Sequence, residues 1–279
     1  MTSRAELGPV LITGCSSGIG AATARRLAQH GFVVYATARR PETLAPAAAA
    51  GCHTLALDVT DESSMVAAVD AVVAEHGRVG ALVNNAGYGE YGAVEDVDMH
   101  RVRRQFETNV FGLARMCQLV LPSMRAAGRG RIVNVGSMGG RMTFPYGGYY
   151  HATKHAVEAL SDALRFEVAP FGIAVSLFEP GLIATEFGNT VSGTLDATTT
   201  GESPYAAGAA RMDAMISQMY ANRLLSVGPE AVAKVIERAL GARRPQSRYV
   251  VPSVTRGLIG ARQVLPARAW DAMMRVAVR

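Results

Sequence analysis

Short apolar runs recur along the first 180 residues, and each is followed by a stretch with helical spacing. Val10-Leu11-Ile12 ends in a glycine-rich turn, after which Gly20 to His30 reads as a helix. Val33-Val34-Tyr35-Ala36 is a second strand, and Pro41 to Ala50 a short helix with Pro41 tolerated in its first turn. His53 to Leu57 is a third strand, and Asp61 caps a helix to about Glu75. Ala81-Leu82-Val83 is the fourth strand. Asp98 to about Ala127 predicts one long helix, bent near its end by Pro122. Arg131 to Val135 and Ala174 to Phe178 flank a helix from Tyr149 to Ala169, which Pro170 stops. Short continuous apolar strands between helices imply a sheet buried on both faces, hence a mostly parallel one.

The organisation changes after Pro180. Residues 188 to 204 are rich in Thr, Ser and Gly and predict a mobile loop. Residues 205 to 225 place Met212, Met215, Met219, Leu224 and Leu225 at helical spacing. Such a stripe serves packing, or forms a flexible methionine face over a pocket for an apolar ligand. Pro229 to Leu240 is a helix and Arg248 to Val251 a seventh strand. The segment 253–279 alternates Arg with Leu, Val, Met and Trp270 and reads as basic and amphipathic. With no repeat or linker, residues 1–279 form one α/β domain, doubly wound around a mostly parallel seven-stranded sheet.

Composition narrows the class. At 279 residues and 49% hydrophobic content the chain buries a sizeable core. A charged fraction of 18% excludes a disordered polyelectrolyte, and glycines without a three-residue period exclude collagen. No run approaches about 18 apolar residues, so no spanning helix is expected. Met1 to Pro9 holds Arg4 and Glu6 and lacks an apolar run, so no signal peptide is expected. Cys15, Cys52 and Cys117 match neither a zinc spacing nor a disulfide framework, which suits reduced thiols in a cytoplasmic protein. His151 and His155 stand four apart, more in keeping with a solvated helix pair than a metal site, and no metal is expected. From Arg243 onward eight arginines oppose only Asp271. The plain reading is an arginine-rich surface; the sharper ones are a peripheral contact with anionic lipid or a clamp on an acidic ligand. Aromatic and basic residues do not interleave as in nucleic-acid binders, so no nucleic-acid partner is expected.

Three motifs carry chemistry. Thr13-Gly14-Cys15-Ser16-Ser17-Gly18-Ile19-Gly20 stands between the first strand and the first helix. Glycines there allow a tight turn and close approach to a pyrophosphate, and the helix start offers free N–H groups. At the end of strand two, where NAD enzymes usually place an acid, the chain reads Thr37-Ala38-Arg39-Arg40. A guanidinium favours a 2′-phosphate, so NADP(H) is the preferred cofactor, with Arg39 as principal contact, Ser17 nearby and NAD(H) the alternative. The third motif is Tyr150-His151-Ala152-Thr153-Lys154. Residues four apart share a helix face, so the ammonium can meet the phenol and lower a pKa that starts near ~10. That makes a proton donor usable near neutrality.

Taken together the sequence resembles the classical short-chain dehydrogenases/reductases. The resemblance rests on the TGxxxGxG loop, Asn84-Asn85-Ala86-Gly87, Asn109 in Thr-Asn-Val-Phe-Gly, Ser137 thirteen residues before Tyr150, Lys154, and Pro180-Gly181, all in family order. The chain is also similar to the branch of 17β-hydroxysteroid and retinol-type dehydrogenases, through Tyr-Ala-Thr-Ala-Arg and Gly-Tyr-Gly-Glu-Tyr-Gly. The resemblance implies a single-domain Rossmann fold and an NAD(P)-dependent oxidoreductase acting on CH–OH groups. Tyr150 then exchanges the substrate proton and Ser137 stabilises the substrate oxygen. Lys154 binds the nicotinamide ribose and lowers the Tyr150 pKa, and Asn109 holds a water behind it. Gly14, Ser16, Ser17, Gly18, Ile19 and Gly20 cradle the pyrophosphate, and Asp58 and Val59 meet the adenine. Asn85, Ala86 and Gly87 line the cofactor cleft, and Pro180, Gly181, Ile183 and Thr185 meet the nicotinamide end.

The family places substrate in the segments after Ser137 and after Pro180. Here Met138, Met142, Phe144, Tyr146 and Phe187 fall in them, with 182–226 as the substrate loop or lid. An apolar lining suits a steroid-, retinoid- or lipid-like alcohol or ketone. A non-catalytic NADP(H)-binding sensor is the alternative, although it has no need of Ser137, Tyr150, Lys154 and Asn109. An extended-type epimerase or dehydratase would space its glycines TGxxGxxG, unlike this loop. Family members often pair through helices matching 98–127 and 149–169, so a homodimer or homotetramer is expected.

Overall fold

The computed structural model describes residues 4–199, 202–222 and 224–278. Seven strands form one sheet: β1 (Val10–Ile12), β2 (Val34–Ala38), β3 (His53–Ala56), β4 (Ala81–Asn84), β5 (Gly130–Val135), β6 (Ile173–Pro180) and β7 (Arg248–Val251). Their order is β3-β2-β1-β4-β5-β6-β7, and every pairing is parallel. Side chains alternate across a strand, so each central strand feeds two cores. Val10 and Ile12 face a layer formed by α1 (Gly18–Gln29) and α8 (Pro229–Gly241), through Ala24, Leu27, Val232 and Ile236. Leu11 faces the opposite layer of α2 (Glu62–His76), α4 (Leu113–Ala126) and α5 (Gly148–Val168), through Val69, Val72, Met116, Val120 and Val157. Asp61 caps α2 as expected, its Oδ1 accepting from the Ser63 and Ser64 amides at 2.8 and 3.2 Å. The segment 41–50 divides into a 3₁₀ turn at Pro41–Leu44 and a short helix at Ala45–Ala49.

One expectation is refined and one is corrected. The span expected as one long helix is α3 (Met99–Phe106), a π-helical turn at Glu107–Gly112, and then α4. The wide turn presses against the loop after β3, where a Cβ on Gly112 would lie 2.3 Å from the Val59 carbonyl oxygen. It buries Asn109 and leaves Phe111 exposed. Nor are residues 188–198 of the expected loop 188–204 a loop: α6 spans Glu186–Thr198. Thr185 caps it, and Val191 and Leu195, one turn apart, bury its inner face. The hydroxyls that suggested a loop bond back one turn, Thr190 to the Glu186 carbonyl and Thr198 to the Thr194 carbonyl. Residues 200 and 201 lie outside the described residues. α7 (Ala206–Ala221) carries the methionine stripe, whereas Leu224 and Leu225 lie past its end and Leu224 is exposed. A two-residue parallel ladder, Leu182–Ile183 with Ser226–Val227, ties the two ends of this α6–α7 insertion together.

Leu195→Ala should cost about 2–4 kcal/mol in denaturant unfolding, as for a buried leucine. Gly193 stands in mid-α6, and a Cβ added to it would meet nothing within 4 Å. Gly193→Ala should therefore gain up to about 1 kcal/mol. An exposed loop at 186–198 would not show the Leu195 loss.

Candidate active site

The strand order reverses between β1 and β4, and the loops leaving their carboxyl ends frame a crevice. Thr13 Oγ1 accepts from the amides of Asn85 and Ala86, each at 3.0 Å, while Asn85 Nδ2 donates to the carbonyls of Thr13 and Gly14 at 3.0 and 2.9 Å. The approach is close enough to require glycine. Gly14 has φ 72°, and a Cβ on it would lie 2.8 Å from the Ala86 Cα. A Cβ on Gly20 would lie 2.3 Å from the Gly14 carbonyl oxygen. Ser17 holds the N-cap position of α1 without capping it, so the first amides of the helix keep their donors for an anion.

A cavity of about 720 Å³ runs from this loop across the sheet edge. Gly14, Ser16, Ser17, Gly18, Ile19, Arg39, Asp58, Val59, Asn85, Ala86, Gly87, Pro180, Gly181, Ile183 and Thr185 all line it. Gly20 does not; it lies beneath the loop, and its contribution is packing. The cradle fits a dinucleotide: it combines side-chain-free approach at Gly14, uncapped helix amides, and a guanidinium at Arg39 where a carboxylate would repel phosphate.

At the other end, Ser137 follows β5 and stabilises its turn, its Oγ accepting the Gly139 amide at 3.0 Å. It also shares a hydrogen bond with the buried Tyr150 hydroxyl. Lys154 Nζ donates to the Val135 carbonyl at 3.0 Å and lies 5.9 Å from the Tyr150 ring centre. Burial, more than any other cause, raises the Tyr150 phenol above its ordinary range, against the opposing Ser137 hydrogen bond, with Tyr220 raising it further. The expected lowering by Lys154 does not enter this balance. Burial also pulls the Lys154 ammonium down to about 8. Asn109 does not line the cavity. Its Nδ2 donates to the Tyr88 carbonyl at 2.8 Å and to Thr153 Oγ1 at 3.1 Å, and its Oδ1 accepts the Tyr88 amide at 3.0 Å. A Cβ on Gly87 would reach both Asn109 Oδ1 and Lys154 Nζ, so glycine keeps the space between them open.

The apolar half of the cavity is lined by Met138, Phe144, Phe187, Val191 and, from α7, Met212, Met215, Ile216, Met219 and Tyr220. The methionine stripe therefore faces the pocket. Two residues expected there lie elsewhere. Tyr146, at φ 63°, turns its hydroxyl to the Tyr205 carbonyl at 3.4 Å and packs beside the lining. Met142 is buried with Ile259 and Trp270. Tyr91, His151 and Tyr220 are among the lining residues that escaped the sequence reading. The ring centres of Tyr91 and His151 lie 5.6 and 5.5 Å from that of Tyr150, and Tyr220 closes the lid end. His151 is not a solvated histidine: it is 2% exposed, and its Nδ1 accepts the Phe144 amide at 3.4 Å. Its place beside Tyr150 was the available signal.

One turn beyond Lys154, Glu158 joins a half-buried charge cluster. Arg248 Nη1 bonds Glu158, and also Glu179 at 2.5 Å; its Nη2 reaches Asp162 at 2.6 Å. Burial raises the Glu158 carboxyl to about 7 despite the Arg248 hydrogen bond, and Glu179 adds to the rise. The cluster locks β7 to α5 behind the Ser137 turn.

Residues 9–196 match the profile of the family described as short chain dehydrogenase. A 3-ketodihydrosphingosine reductase of Bacteroides thetaiotaomicron is 46% identical over 179 residues, which is 64% of this chain and 65% of that one. An NADPH-dependent 3-dehydrocapnine reductase of Ornithobacterium rhinotracheale is 33% identical across 94% of both chains. Human 17-beta-hydroxysteroid dehydrogenase type 1 is 40% identical over 86% of this chain and 76% of its own length. The crystal structure of a short-chain dehydrogenase from Streptomyces avermitilis superposes with a TM-score of 0.79 at 33% identity, covering 96% of this chain and 95% of that one.

Burial holds the His151 pKa down, from 6.5 to about 4, with His155 contributing. A base depressed on folding gives stability that is present above pH 6.5 and lost as the pH falls towards 4, because the unfolded chain binds the proton first. Denaturant unfolding at stepped pH should show a loss on the order of 3 kcal/mol across that window. His151→Gln should flatten that slope.

Proposed function

The chain belongs to the short-chain dehydrogenase/reductase family, oxidoreductases acting on CH–OH groups, and on that footing we propose that it is an NADP(H)-dependent reductase of an apolar ketone. One observation carries this reading. Ser137, Tyr150 and Lys154 open into the same cavity as the glycine loop and Arg39, and the wall beyond them carries Met138, Phe144, Phe187, Met212, Met215 and Met219. Bound NADPH supplies the hydride. The substrate oxygen lies between the Ser137 and Tyr150 hydroxyls, where Ser137 donates to the developing charge and Tyr150 gives up its proton. A phenol raised by burial keeps that proton at neutral pH, as reduction requires. Lys154, tied to the Val135 carbonyl, keeps a cation near the phenolate that results. Asn109 positions the Tyr88 backbone and, through Thr153, the first turns of α5.

Arg39 and Ser17 support a 2′-phosphate, as does the relative named as NADPH-dependent. Relatives named for 3-ketodihydrosphingosine, 3-dehydrocapnine and 17-beta-hydroxysteroid substrates support an apolar alcohol or ketone. Phe111, Leu160 and Phe166 are exposed on the π turn and α5, the surfaces through which a homodimer or homotetramer would form. The three buried free cysteines support a cytoplasmic setting.

Tyr150→Phe should lower turnover of a ketone panel (3-keto lipids, steroids, retinoids) by about 10²-fold or more while NADPH still binds. Retained turnover would remove Tyr150 from the mechanism. Arg39→Ala should weaken NADPH about tenfold or more and leave NADH nearly unchanged, read by fluorescence titration. Equal effects on both would rule out the phosphate role.

A further inference from the structure

The last two helices, α9 (Ser253–Val264) and α10 (Ala267–Val278), are apolar on two sides. Inward, Ile259 and Trp270 pack with Met138 and Phe144, which themselves line the cavity. The Phe144 and Trp270 ring centres are 6.1 Å apart. α10 also packs against α7, the helix that carries the methionine wall. Outward, α9 exposes Val254, Leu258, Ala261 and Val264, spaced i, i+4, i+7, i+10. α10 exposes Ala269, Ala272, Met273 and Val276, spaced i, i+3, i+4, i+7. Val264 is 81% and Val276 80% exposed, where a helix on a water-facing surface carries polar residues. Arg256, Arg268 and Arg275 are exposed beside these stripes, and no carboxylate among the described residues forms an ion pair with them. Asp271 is the only acid of the two helices.

We propose that α9 and α10 adsorb to the surface of an anionic lipid bilayer. The outward stripes enter the interface, and Arg256, Arg268 and Arg275 meet the phosphates. Charge selects this occupant. A second copy of the chain, paired face to face, would bring two identical arginine-rich surfaces together without counter-charge. An anionic bilayer supplies both the apolar layer and the charge. No helix among the described residues is long and apolar enough to cross a membrane, so the contact is peripheral. Adsorption does not depend on the reductase reading. Its consequence does: α10 backs the wall of the apolar cavity, so adsorption brings that wall beside the bilayer that holds a lipid-borne ketone.

The test is flotation of the full-length protein with vesicles of phosphatidylcholine alone and of phosphatidylcholine with phosphatidylglycerol. Binding is expected only to the anionic vesicles, weakening as salt rises. Arg268→Gln with Arg275→Gln should lower partitioning about thirtyfold. Met273→Ser with Val276→Ser should also lower it, leaving NADPH binding, melting temperature and oligomeric state unchanged. Equal flotation with neutral vesicles, or none with anionic ones, would overturn the proposal. So would oligomer dissociation in the Met273/Val276 variant, seen by light scattering, which would assign the face to a second copy. None of these readouts uses turnover, so an inactive enzyme and a failed membrane contact are told apart.

Discussion

The site depends on how closely the loops after β1 and β4 approach each other. In a parallel sheet whose order reverses at these strands, the two loops diverge and leave a crevice. Here Thr13 and Asn85 close its floor with four hydrogen bonds, between residues 71 to 73 positions apart in sequence. The bonds form because Gly14 and Gly20 carry no Cβ. Polar groups that would otherwise be buried without partners thereby satisfy each other. The uncapped amides of α1 and the Ser16–Ile19 backbone are left facing the cavity.

From that floor the proposed catalytic end is organised along one face of α5. Tyr150, Lys154 and Glu158 follow at four-residue intervals, and all three are buried. A buried ammonium or carboxylate is costly unless it is hydrogen-bonded or paired. Lys154 has the Val135 carbonyl and Glu158 has Arg248. The same burial holds the proton on Tyr150 and drives Lys154 towards neutrality. The chemistry and the strain on stability thus have one cause.

Motifs read most plainly where one residue type has a single physical role. The glycine loop, Arg39 without a neighbouring acid, and the Tyr150–Lys154 pair were legible because sterics, charge and helical spacing each allow few alternatives. Residues 186–198 were not, since Thr and Ser serve loops and helices alike, and only the burial of Val191 and Leu195 selects the helix. The Asn109 turn was hidden too: helical periodicity does not distinguish an α turn from a π turn, and the pressure of Gly112 on Val59 comes from another part of the chain. Tyr146 and Phe144 belong to one short segment, yet only Phe144 lines the pocket, because a positive φ at Tyr146 sends its ring elsewhere.

By itself, the sequence determined a doubly wound parallel sheet, a glycine-rich loop between β1 and α1 and a tyrosine–lysine pair on one helix face, because these follow from local periodicity, glycine sterics and residue spacing. Tertiary structure alone decided the protonation balance at Tyr150 and Lys154, the neutral His151 beside them, and the side of the methionine stripe that faces the cavity. Those properties depend on what desolvates each group, and the desolvating atoms come from strands, loops and helices remote in the chain.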